Sequence, residues 1–125
     1  MLPSVASAQS AVSAADLARN ARRYLEQPIA FRGAYCYAAA RGYQCTTSEP
    51  LRIDLESMPA GPAKTAMDDE CGELDGIEQS PTCRFTLQIV PTEVKTESGS
   101  YVRNKKAAQG KITVVTATVV SARKQ

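Results

Sequence analysis

Four cysteines, Cys36, Cys45, Cys71 and Cys83, constrain this chain more than any other residues. In a small domain an even set of cysteines reads as a disulfide framework of an oxidising compartment. A structural zinc site instead brings its cysteines together in close pairs. Here the successive steps are 9, 26 and 12 residues, which leaves no such pair and argues against zinc. The C-x-x-C redox motif is absent as well. Sequence order favours the bridges Cys36–Cys45 and Cys71–Cys83, because each staples a local loop. Each is expected to contribute about 2–3 kcal/mol.

The N-terminal residues carry the same message about compartment. Ala6-Ser7-Ala8 places small residues at the −3 and −1 positions of a signal-peptidase site. The basic and apolar regions of a complete signal peptide do not precede it. Residues 1–8 therefore read as the tail of a signal peptide, the mature chain starting near Gln9. The rival reading is an Ala/Ser leader on a cytosolic protein. Residues 9–13 are expected as a disordered leader, and 14–125 as a single domain. A periplasmic or secreted location follows. No apolar run of about 18 residues occurs, so no membrane span is expected.

The pattern along the domain is mostly strand. Ser13 is placed to cap a helix, with Asp16 at its third position. Leu17, Ala21, Tyr24 and Leu25 form one apolar stripe, and Pro28 ends it. Ile29, Phe31, Tyr35 and Tyr37 alternate along a strand in which Gly33 implies a bulge. Tyr43–Thr47 reads as its return. Leu51, Ile53 and Leu55 alternate with Arg52, Asp54 and Glu56 as a half-buried strand. Ala63–Glu70 is expected as a short helix, stopped by Gly72. Phe85, Leu87 and Ile89 mark a fourth strand, and the Val/Thr-rich segment 112–122 a fifth. The alternation of the fifth slips at Val114-Val115 and Val119-Val120, which implies a bulge or burial on both faces. Between the fourth and fifth strands, residues 91–110 read as a long polar loop, with Tyr101-Val102 in a hairpin within it.

The fold class is therefore all-β with flanking helices. Five strands with a helix between the third and fourth match an OB-like Greek-key barrel, here with an N-terminal helix. The run Asn20, Tyr24, Ile29, Phe31 and Gly33 resembles the entry of small exported bacterial OB-fold proteins of the tRNA-anti-like type. Glu26 stands where those proteins carry a glycine before the first strand. The resemblance implies the fold and an exported location. It brings no catalytic residue and does not account for the cysteines.

Composition narrows the chemistry. With no histidine, Ser-His-Asp and Cys-His catalysis and His-ligated zinc are excluded. No phosphate-cradling glycine motif occurs, and no cofactor is expected. The single S-x-x-K match, Ser121 to Lys124, has no companion motif and reads as chance. The net charge of +2 conceals a polarity: residues 61–80 sum to −5 and residues 81–125 to +6. Six carboxylates fall within residues 68–78, but no register of that run meets the EF-hand pattern. A basic set, Arg103, Lys105, Lys106 and Lys111, clusters in or beside the long loop, with Tyr101 nearby. Tyr35, Tyr37 and Tyr43 form a second candidate binding group, although a core role is the favoured reading. The sequence points to a non-enzymatic exported binding or interaction module with a protein partner in the cell envelope. An accessory subunit of a larger envelope complex is the alternative. Single-stranded nucleic-acid binding is a lesser one, because phosphate attraction asks for a more basic domain.

Overall fold

The computed structural model describes residues 10–39, 42–71, 83–103 and 106–124. The expected signal-peptide tail, most of the acidic run and Lys105 lie outside these residues. The described elements run in the order β1 (Ser10–Val12), α1 (Ala14–Asn20), a 3-10 turn (Ala21–Tyr24), β2 (Ile29–Ala39) and β3 (Gly42–Thr46). They continue with β4 (Leu51–Leu55), α2 (Pro62–Glu70), β5 (Arg84–Arg103) and β6 (Lys106–Lys124). The chain is thus mostly β-sheet with two short flanking helices.

The pairing order is β1-β2-β3-β4-β6-β5, and β5 pairs back onto β2. β2 to β6 therefore form a ring-like sheet, with β1 added beside β2. All ring pairings are antiparallel except β4–β6, where Leu51–Leu55 runs parallel to Thr113–Ala117. Gly33 has φ +77° and marks the register shift between Phe31 and Ala34, so the expected bulge is present. It turns Phe31 and Ala34 both to the interior, where each is fully buried.

Inward-facing residues of every ring strand meet in one core. Ile29 and Phe31 of β2, Leu51 and Ile53 of β4, Phe85, Leu87 and Ile89 of β5, and Val115 of β6 are all buried. The helices close it. Ser13 accepts from the Asp16 amide at 3.1 Å, the expected cap, and Leu17 enters the core. α1 lies near the start of β4, because Thr113, which pairs with Leu51, donates its hydroxyl to Ala18 O at 2.8 Å. α2 lies near the other end of β4: Tyr43, which pairs with Leu55, donates to Asp68 at 2.6 Å. Ala63, Ala66 and Met67 of α2 are buried.

Both expected disulfides are present. Cys36 and Cys45 face each other directly across β2 and β3, with Cα atoms 4.0 Å apart. Cys71–Cys83 ties the end of α2 to the start of β5. Its helix-side anchor is tied to β2, where Ala38 N donates to Cys71 O at 2.8 Å.

Two expectations are corrected. Residues 10–12, expected within a disordered leader, form β1, parallel to Ile29–Phe31. Three residues are too few to show a period, but their backbone completes the β2 edge and Val12 is buried. Of residues 91–110, expected as a loop, 91–103 and 106–110 lie in two arms paired from Arg103↔Lys106 down to Phe85↔Lys124. Strands wetted on both faces need no apolar alternation, so their polar sequence hid them. Pro91 is tolerated because β5 no longer pairs with β2 beyond Ile89, and because the ladder shifts at Thr92. The two slips in β6 have different causes. Val120 is the extra residue of a bulge and is 53% exposed. Val114 and Val115 are buried on opposite faces of one strand.

Candidate functional site

The outer face of the ring, across β3, β4, β6 and β5, carries the largest described recess. Strand alternation turns Ile53 inward and sends Arg52 and Asp54 outward from β4. Register then aligns neighbours on that face: Tyr37 beside Gln44, Gln44 beside Asp54, Asp54 beside Thr116, and Arg52 beside Val114. Lys95 and Glu97 of β5 complete the row opposite Val114 and Ile112. The resulting groove encloses about 570 Å³ and is lined by Gly42, Tyr43, Gln44, Arg52, Asp54, Leu55, Glu56, Lys95, Glu97 and Thr116.

Its charges are interlocked. Arg52 grips Asp54 with two contacts, Nε to Oδ1 at 2.8 Å and a terminal nitrogen to Oδ2 at 3.2 Å. The same guanidinium reaches Glu97 at 3.2 Å, and Lys95 reaches Glu97 at 3.7 Å. Burial works against the charge on Arg52, but the Asp54 hydrogen bond and the nearby carboxylates outweigh it and hold the group protonated. These side chains are partly wetted, so each pair stabilises by no more than about 1 kcal/mol. Their larger effect is to fix the positions of charges over buried Val114 and Ile112. Tyr37 is nearly covered and donates to Gln44 Oε1 at 3.1 Å. Burial pushes its phenol pKa up, so it stays a neutral donor.

Comparison of the chain with protein-family models, with curated proteins and with solved structures returned no match. The groove is thus interpreted from its own chemistry.

The structure divides the residues singled out in the sequence. Tyr37 lies beneath the groove's edge and supports its lining residue Gln44. Tyr35 shares its strand face and is half-buried beside Thr46 and Arg84 in the ladder. Tyr43 sits at the groove's end but is engaged by α2: it donates to Asp68, and Lys64 Nζ lies 5.9 Å from its ring centre. That contact pulls the Asp68 pKa down and pushes those of Tyr43 and Lys64 up. Tyr101 stands on the hairpin arm, against Gly110. Arg103 and Lys106 pair at its tip. At strand rise, Tyr101 is about 20 Å along β5 from Lys95, so the tip and the groove are separate places. Cys36, Cys45, Cys71 and Cys83 are structural bridges.

Sequence reasoning missed Gln44, Arg52, Asp54, Lys95 and Glu97 as a group. The available signal was opposite charge at i, i+2 on strand faces whose alternate residues are buried, as in Arg52 and Asp54 around Ile53. Among the described residues no group of three or more His, Cys, Asp or Glu side chains could hold a metal ion. Among them, too, no helix is long and apolar enough to cross a membrane.

Proposed function

We propose that this chain is an exported, non-enzymatic binding module of OB-like fold that takes a protein partner along the groove over β3, β4 and β5. The pairing order supports the OB-like reading: five strands in a ring, a parallel third and fifth strand, and a helix after the third. In such a fold the face of the second and third barrel strands, here β3 and β4, is where ligands are held. The two disulfides support an oxidising compartment.

The charge balance of the groove carries the choice of partner. Arg52 and Lys95 face three carboxylates, Asp54, Glu56 and Glu97. A phosphate backbone asks for net positive charge, so this lining disfavours a nucleic acid. An alternating, pre-positioned set of charges suits the mixed polar surface of another protein, where it selects register more than it adds affinity.

A photo-crosslinking residue at Gln44 tests the reading in exporting cells, with exposed Thr65 of α2 as the control position. The expected result is a discrete protein adduct from position 44 and none from position 65. No adduct from position 44, or the same adducts from both, refutes it.

A further inference from the structure

A second recess lies on another sector of the ring, on the outer face of β2, β5 and β6. It encloses about 320 Å³ and is lined by Ala30, Arg32, Thr86, Gln88, Ser121 and Arg123. Register explains why these six meet. Ala30 pairs with Gln88, Gln88 with Ser121, and Thr86 with Arg123, so all project from one face. Arg32 follows Ala30 on the same face, just before the Gly33 bulge breaks the alternation. Small Ala30 leaves the floor open.

The chemistry of this lining differs from that of the groove. It holds two arginines and no carboxylate. Neither arginine takes part in an ion pair among the described residues. Ser121 Oγ donates to Gln88 Oε1 at 2.9 Å, which engages the amide oxygen and holds the Gln88 side chain in place beside the arginines. Ala30, Thr86, Gln88, Ser121 and Arg123 stand on paired backbone, and Arg32 lies at the edge of the Gly33 bulge. Two guanidinium forks and an amide NH2 around a small open floor form a donor set for a planar or tetrahedral oxyanion.

We propose that this recess binds a phosphate-class oxyanion, held between Arg32 and Arg123 and oriented by Gln88. The site is independent of the groove and of any partner it takes. Part of the positive charge of the C-terminal third thus belongs to a defined site rather than to the hairpin tip alone. The oxyanion has two possible sources, free phosphate or a phospholipid headgroup, and the recognising chemistry is the same.

The test uses backbone-amide NMR on the oxidised protein, titrated with inorganic phosphate. A parallel arm measures co-sedimentation with phosphatidylcholine vesicles with and without phosphatidylglycerol. Saturable shifts at Ala30, Thr86, Gln88 and Ser121, weakened about tenfold or more in Arg32→Gln and in Arg123→Gln, support the proposal. Lys64→Gln, on α2, is the control and should leave those shifts unchanged. Both arginines are exposed, so their variants should keep the wild-type spectrum elsewhere. Binding only to phosphatidylglycerol vesicles, lost in the same two variants, supports the headgroup as source. No response in either arm, or a response that survives both arginine variants, overturns it.

Discussion

Replacing Cys36 and Cys45 together with alanine removes the bridge that lies across β2 and β3. Its loop spans a sequence separation of 9. Closing a loop of that length restricts the unfolded chain by about 2.7 kcal/mol. Both side chains are fully buried, and each lost sulfur leaves a void of roughly methyl size, adding about 1 kcal/mol apiece. The expected loss is therefore about 3–5 kcal/mol. A domain of 125 residues has on the order of 6–19 kcal/mol to lose, so the variant should still fold. Urea unfolding followed by tyrosine fluorescence measures the change. With a slope of about 2 kcal/mol per molar, the midpoint should fall by roughly 1.5–2.5 M. The slope should rise slightly, since the unlinked unfolded chain exposes more surface. A midpoint shift under about 0.5 M with an unchanged slope would refute the reasoning.

Three further outcomes follow from particular residues. Glu26 has φ +62°, a conformation that disfavours a residue with Cβ, and its amide donates to Pro91 O at 2.7 Å. Glu26→Gly should stabilise the fold by up to about 1 kcal/mol in the same assay, relief of backbone strain exceeding the added flexibility; destabilisation would contradict this. A Cβ on Gly99 would lie 2.7 Å from Ile112 Cδ1, and Ile112 is buried, so Gly99→Ala should cost about 1–3 kcal/mol. Adding Ile112→Val, which removes that methyl, should recover part of the loss; a strictly additive double mutant would count against the contact. The Tyr43–Asp68 contact lowers the Asp68 pKa below its ordinary 3.8 and raises that of Tyr43 above 10.0. Its contribution is thus present between those two values. It is lost as pH falls through the lowered Asp68 pKa, and lost again as pH rises through the raised Tyr43 pKa. Tyr43→Phe should flatten both flanks of the stability–pH curve, and unchanged flanks would refute the assignment.

The parts of this fold that were legible share a cause: local pattern. Leu51–Leu55 alternates between core and water, and that alternation alone gives its bounds. Ser13 and Asp16 signal a cap within three residues. The cysteine spacing gave both bridges because each partner is close in sequence. The hairpin was not legible, because most described residues of its outer part, 92–103 and 106–110, are at least partly solvated, and solvation leaves no period. β1 is shorter than any pattern. The groove was hidden for a third reason. Gln44, Arg52 and Lys95 come from three strands, and only the ring pairing makes them neighbours. The tyrosines show the converse: only six positions apart in sequence, Tyr37 and Tyr43 serve different contacts, one to Gln44 and one to Asp68.

The arginine recess needs the β2–β5 pairing and the groove needs the β4–β6 pairing; together these close the ring, so closure is the claim on which the account stands. Inter-strand NOEs measured on the oxidised protein test it directly. The account predicts an antiparallel set joining Ile29 to Ile89 and Phe31 to Leu87, together with a parallel set joining Leu51 to Thr113 and Ile53 to Val115. An antiparallel β5–β6 hairpin lacking either set would show an open sheet and contradict the site built on that pairing.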